Sequence, residues 1–163
     1  NSSQVFTSGG EDRHQGLELT TYGKVFPTLK LLGGFTWLDA KQKTTGSAAT
    51  DGKRVIGIPS FQANVGAEWE VRALTGLALD GRVVHTGSSY ADAANTLEVP
   101  GWTRFDLGAR YIVDMGKKPV TLRARIDNVT NKGYWSSVGG YPGSGYLVVG
   151  TPRTFGLSAS VDF

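Results

Sequence analysis

The sequence predicts an all-β protein: an antiparallel meander of about seven long strands. Three observations carry that prediction. Hydrophobicity alternates with a period of two along most of the chain. The connections between the alternating runs are short and long in strict turn. Glycine supplies 23 of the 163 residues, roughly double its usual share, which weakens helices and suits turns and close backbone approaches.

Taken in order, the first two strands fall around Gln15–Lys24 and Thr28–Lys41 and alternate least cleanly. From Phe61 to Arg72 the odd positions read Phe, Ala, Val, Ala, Trp, Val and the even ones Gln, Asn, Gly, Glu, Glu, Arg. Leu77, Leu79 and Val83 then alternate with Asp80 and Arg82. Phe105, Leu107, Ala109 and Tyr111 alternate with Arg104, Asp106 and Arg110. Val120, Leu122, Ala124 and Ile126 alternate with Thr121, Arg123, Arg125 and Asp127. The seventh strand carries Phe155, Leu157, Ala159, Val161 and Phe163 on one side. Most of these runs reach about ten residues, twice the ordinary strand length.

Short turns join Lys24 to Thr28, Arg72 to Gly76 and Asp114 to Pro119. Long polar loops span Gln42–Pro59, Ser88–Gly101 and Lys132–Pro152. Strict alternation puts every long loop at one end of the sheet and every turn at the other. Transmembrane β-barrels have that asymmetry, with apolar residues outside and polar ones inside. A soluble β-sandwich also alternates, but it hides its apolar face under a second sheet and has little use for so charged a second face. The uncharged run Gly133–Pro152 reads as a loop, since Gly, Pro, Ser and Tyr fill it.

Composition sets further bounds. Hydrophobic content of 39% and charged content of 19% argue against disorder. A net charge of +3 is too small to imply a nucleic-acid partner. Without cysteine there is neither a disulfide nor a thiolate metal site. No charged segment followed by an apolar one opens the chain as a signal peptide would. Complete bacterial barrels have an even strand number with both ends in the periplasm, so seven strands predict a partial barrel. If Gln4–Thr7 were an eighth strand, the chain would instead be a small closed barrel serving as an anchor or adhesin.

Five segments resemble one family. RHQGLEL (Arg13–Leu19), GKRVIGIPSFQANVGAEW (Gly52–Trp69), VPGWTRFDLGARY (Val99–Tyr111), RIDNVTNKGYW (Arg125–Trp135) and the closing GTPRTFGLSASVDF are similar to motifs of TonB-dependent ferric-siderophore receptors of the outer membrane, in the family's order. The resemblance covers essentially the whole chain and implies that residues 1–163 are the C-terminal part of a transmembrane barrel of about 22 strands with a plugged lumen. The plug domain and TonB box are absent from this sequence. It implies as partners a ferric siderophore, the receptor's own plug, the TonB complex, the barrel-assembly machinery and outer-membrane lipid. Iron would be carried by the siderophore, so no protein cofactor is expected. Phe163, a final aromatic on an alternating strand, resembles the signal read by the barrel-assembly machinery.

Candidate residues follow. Asp80, Arg82, Arg104, Asp106, Arg110, Arg123, Arg125 and Asp127 share the inward parity, as a lumen wall or a plug contact. Among the aromatics, Tyr90, Trp135, Tyr141 and Tyr146 in the long loops are candidates for contact with an amphipathic chelate. Trp37 and Trp102 are expected in the interfacial aromatic girdle. His14 and His85 stand alone, with no ligand spacing for a metal. Nothing marks a nucleophile, so no enzymatic activity is expected. Asn1-Ser2-Ser3 and Asn128-Val129-Thr130 fit a glycosylation tripeptide, a pattern common by chance.

Overall fold

The computed structural model describes residues 9–116, 118–141 and 144–161. Every regular element among the described residues is a strand: β1 (Glu11–Phe26), β2 (Leu29–Thr44), β3 (Phe61–Glu70), β4 (Leu77–Thr86), β5 (Ser89–Tyr90), β6 (Glu98–Val99), β7 (Trp102–Met115), β8 (Lys118–Asp127), β9 (Trp135–Tyr141), β10 (Ser144–Val149) and β11 (Thr154–Val161). Seven of them form one antiparallel sheet in chain order, β1-β2-β3-β4-β7-β8-β11. The meander is therefore as expected, and β1 and β2 extend beyond their sequence bounds to 16 residues each. The two-residue turn at Pro27–Thr28 brings Phe26 opposite Leu29. A register shift between Lys24 and Phe26 lets Phe26 rejoin the apolar face, as a bulge does.

Register fixes the two faces. Gly23, Leu31, Ala67, Gly81, Leu107, Ile126 and Phe155 lie in one row across the sheet. The next row on that face holds Phe26, Leu29, Trp69, Leu79, Ala109, Ala124 and Leu157. Nothing among the described residues covers them: Leu157 is 87% exposed and Phe155 70%. Among the described residues only Ala40, Ala78 and Val99 are buried hydrophobics. A globular protein of 17.4 kDa exposes about 7,900 Å², whereas this chain exposes 11180 Å². A sheet whose apolar side carries no second layer among the described residues needs an apolar medium to cover it, which a bilayer supplies.

The long loops differ from their expected form. Gly133–Pro152 is not a featureless loop, because β9 and β10 pair within it from Trp135↔Val149 to Tyr141↔Ser144. Trp, Val and Tyr favour strands there, and the interspersed Gly139 and Gly145 hid the alternation. A smaller ribbon, β5 with β6, closes the Ser88–Gly101 loop. The possible strand at Gln4–Thr7 and the terminal Phe163 lie outside the described residues.

Candidate functional site on the polar face and its loops

All eight predicted inward charges stand on the polar face, since their register partners there include Glu68, Gly66, Gly108, Gly156 and Ser158. Asp106 is the centre. It is 1% exposed and meets three guanidinium groups: Arg82 Nη2 at 2.7 Å, Arg104 Nε at 3.1 Å and Arg125 Nη2 at 3.7 Å. The Asn128 backbone N–H donates to its Oδ1 at 2.8 Å. A carboxylate so enclosed is tolerable only because both oxygens have charged or N–H partners. Arg125 also holds Asp127 at 2.7 Å and reaches Asp80 at 3.8 Å. Gly108 makes that crossing possible, because any β-carbon there would collide with the Asp80 carboxylate. Towards the short turns a second cluster forms: Lys30 meets Glu68 at 2.8 Å and Glu70 at 3.1 Å, and Arg110 meets Glu68 at 3.4 Å. Arg123 stands directly opposite Arg110.

The Asp106 cluster also anchors the longest loop. Asn128 has φ 54° and is wholly buried. Its Nδ2 donates to the carbonyls of Lys132 (2.9 Å) and Thr151 (3.0 Å), and its Oδ1 accepts from Lys132 N–H at 2.8 Å. Asparagine tolerates that left-handed backbone while bonding both loop stems. Burial of its amide also rules out the glycosylation tripeptide at this position. Beside it, Asn131 Oδ1 accepts from the Arg153 N–H at 3.0 Å. Arg104 Nη1 donates to the Tyr134 hydroxyl at 3.0 Å. The Tyr134 ring lies against Gly150, where a side chain would strike it, and its centroid is 4.2 Å from that of Trp102. Trp102 thus belongs to the polar face, in register with Thr86, and not to a lipid-facing girdle. Position parity at the strand start decides this. Trp37 does stand on the apolar face, half exposed.

A cleft of about 430 Å³ opens beside this anchor, walled by Trp102, Tyr134, Trp135 and Lys132. Of the four aromatic candidates in the loops, only Trp135 lines it. Tyr146 is 60% exposed further along the ribbon, its hydroxyl end against Gly139. The Tyr90 carbonyl accepts from Gly57 N–H at 2.9 Å. The Tyr141 backbone pairs with Ser144. Sequence reading missed Tyr134 and Lys132; their spacing after Asn128 was visible, but not their approach to Trp102 across the sheet.

The other two long loops interlock. Gln42 Nε2 donates to the carbonyls of Ala93 (2.8 Å) and Arg54 (3.1 Å). Asn95 Oδ1 accepts from Arg54 N–H at 2.7 Å, and its Nδ2 donates to the Arg54 carbonyl at 3.0 Å. Asp92 caps the turn below, accepting from the N–H groups of Leu97 (2.7 Å) and Thr96 (2.8 Å). The Leu97 N–H, first among these donors, holds the Asp92 carboxyl below its ordinary range. His85 faces the apolar side, where its Nδ1 lies 2.8 Å from Thr103 Oγ1. Among the described residues no three His, Cys, Asp or Glu side chains come together as a metal site.

Comparison with known proteins places this architecture. Residues 1–129 match the family model described as TonB dependent receptor-like, beta-barrel. The chain belongs to that family. It is 40% identical over 163 residues to the ferrichrome receptor FcuA of Yersinia enterocolitica, covering 99% of this chain and 21% of the relative. It superposes with TM-score 0.87 and 42% identity on the crystal structure of BauA, the ferric preacinetobactin receptor of Acinetobacter baumannii, covering 98% of this chain and 23% of that one. The siderophore receptor PiuA of the same species gives TM-score 0.77 at 27% identity, over 93% of this chain and 22% of that one. This TonB-dependent receptor segment therefore spans about a fifth of the length of the curated relatives it matches. It is an outer-membrane protein, and its uncovered apolar face is the lipid-facing one. The family is one of receptors and transporters, not enzymes.

Proposed function

We propose that this chain is the C-terminal barrel portion of an outer-membrane receptor that binds ferric siderophores and imports them by TonB coupling. The observation that carries the reading is identity of 40% and 42%, over nearly the whole chain, to two receptors named for ferric siderophores. The cleft beside Trp135 supports it: three aromatic walls and a lysine suit an amphipathic, anionic chelate. Iron stays within the siderophore, and no protein cofactor is required. The plug and TonB box would come from outside residues 1–163, and the plug would meet the polar face of Asp80, Arg82, Arg110 and Arg123. The barrel-assembly machinery and outer-membrane lipid complete the partners, with no nucleic acid and no catalysis.

The test is uptake of radiolabelled iron, supplied as ferrichrome and other purified ferric siderophores, in cells with the receptor intact or deleted. Deletion should abolish uptake of at least one chelate, and loss of TonB should do the same. Unchanged uptake of every chelate in iron-starved deletion cells, with the receptor produced in the wild type, would overturn the proposal.

A further inference from the structure

The three long loops meet at one residue. Gly57, between β2 and β3, donates its N–H to the Tyr90 carbonyl of the β4–β7 loop at 2.9 Å. Its α-carbon lies so close to the β9–β10 ribbon that an added β-carbon would strike the Val138 carbonyl oxygen. The ribbon touches the second loop as well, since a β-carbon on Gly145 would sit 3.9 Å from the Ala91 carbonyl oxygen. Further bonds tie the first loop to the second, from Gln42 to the Ala93 carbonyl and from Asn95 to both backbone polar groups of Arg54. Gln42 and Ser89 are buried where these loops cross.

Two demands fall on Gly57, and they can be separated. Its φ is 72°, a left-handed backbone that side chains disfavour. Gly52, in the same loop, has φ 77° but open space where its β-carbon would go. Backbone handedness is therefore common to both, and contact with the ribbon belongs to Gly57 alone of the two. The ribbon is held at its stem by Asn128 and rests on Gly57 at Val138. Trp135, which lines the cleft, lies between those supports, three residues or about 10 Å along β9 from Val138. With both ends fixed, the strand between them cannot tilt, and neither can Trp135. A misplacement on the order of 1 Å is enough to loosen a binding site.

We propose that Gly57 is a positioning residue for the cleft. Its N–H holds Tyr90 while its bare α-carbon admits the Val138 carbonyl, so it sets Trp135 against Trp102 and joins the three loops into one cap before any ligand arrives. The inference rests on the ferric-siderophore reading of the cleft and adds to it how the cleft wall is held. A β-carbon at position 57 would push the ribbon away and carry Trp135 with it, leaving the cleft too wide for its chelate.

The experiment compares intact receptors carrying Gly57→Ala or Gly52→Ala in micelles. Without ligand, hydrogen-exchange protection of amide 57 should fall about tenfold in G57A and stay at the wild-type level in G52A. With ferrichrome and other purified ferric siderophores, G57A should bind the receptor's chelate about tenfold more weakly, and G52A should bind it like the wild type. In a Trp135→Ala background G57A should add nothing, because a residue acting through Trp135 has no effect once that side chain is gone; independent losses would multiply to about a hundredfold. Asn95→Gly keeps the left-handed backbone (φ 59°) and drops both bonds to Arg54. It should lower protection of amide 57 and weaken binding about threefold, so the test survives if G57A fails to assemble. Wild-type protection or affinity in G57A or N95G, equal losses in G52A and G57A, or multiplying losses with W135A would each overturn the role of Gly57. A wild-type receptor that binds no ferric siderophore, while G57A still loosens amide 57, would instead overturn the function proposed above.

Discussion

Replacing Asp106 with alanine tests the central claim about how the polar face supports the loops. The carboxylate is almost fully buried, and removing it leaves three guanidinium groups and one backbone N–H to find other partners. The three arginines are not equally stranded. Arg125 keeps Asp127 at 2.7 Å, and Arg82 keeps 36% of its side-chain surface exposed, so both can be neutralised or hydrated. Arg104, at 18%, and the Asn128 N–H cannot. Breaking a buried pair costs 3–5 kcal/mol when the remaining charge is isolated. With one arginine of three left without a carboxylate and keeping only its bond to the Tyr134 hydroxyl, about 3 kcal/mol applies here. That corresponds to roughly a hundredfold rise in local opening, felt where Asn128 joins the loop stems. Amide hydrogen exchange of the intact receptor in micelles should show it at Val129, whose N–H bonds the Phe105 carbonyl, and at Gly150, whose N–H bonds the Tyr134 carbonyl. Asp106→Asn keeps an acceptor for the Asn128 N–H and should raise exchange about tenfold less. Unchanged Gly150 exchange in D106A would refute the idea that this carboxylate anchors the loop.

Three further outcomes are expected. Leu107 lies in the middle row of the lipid-facing band, so Leu107→Arg should destabilise the intact barrel by about 3 kcal/mol. Thr20→Arg on the polar face should change stability by less than about 0.5 kcal/mol, and equal losses in urea unfolding from vesicles would contradict the face assignment. Trp135→Ala and Lys132→Gln should each lower affinity for a ferric siderophore about tenfold, read by tryptophan fluorescence titration with Trp102 as a reporter in the cleft; unaltered affinity in both would remove the cleft from the binding site. Asp92 has a carboxyl held low by the Leu97 N–H. Its cap is therefore complete above the ordinary Asp value of about 3.9 and lost only as pH falls below that, through the lowered value. Protection of the Leu97 amide should stay level from pH 7 to about 4, and a loss already near pH 6 would show that Asp92 is not the cap.

The sequence by itself determined the two-faced meander, because side-chain period in a strand is two and register cannot slip without turning every apolar residue to the wrong side. It also separated long loops from short turns, since strict alternation leaves each kind only one end of the sheet. The inward charges were legible for the same reason: Arg82, Asp106 and Arg125 hold parity positions that no other arrangement of the strands changes. What periodicity could not supply was the pairing among them. Asp106 gathers arginines from β4, β7 and β8, and which of several carboxylates becomes buried depends on register between strands, not on parity within one. The loops were less legible still. Gly139 and Gly145 carry no side chain to mark a face, so the ribbon from Trp135 to Val149 looked shapeless. Trp102 looked like a girdle residue until its strand's starting parity was settled. The cleft of Trp102, Tyr134, Trp135 and Lys132 joins residues more than 25 positions apart. Only tertiary structure brings such residues together, because cross-strand neighbours are chosen by hydrogen-bond register, which a single strand's sequence does not encode.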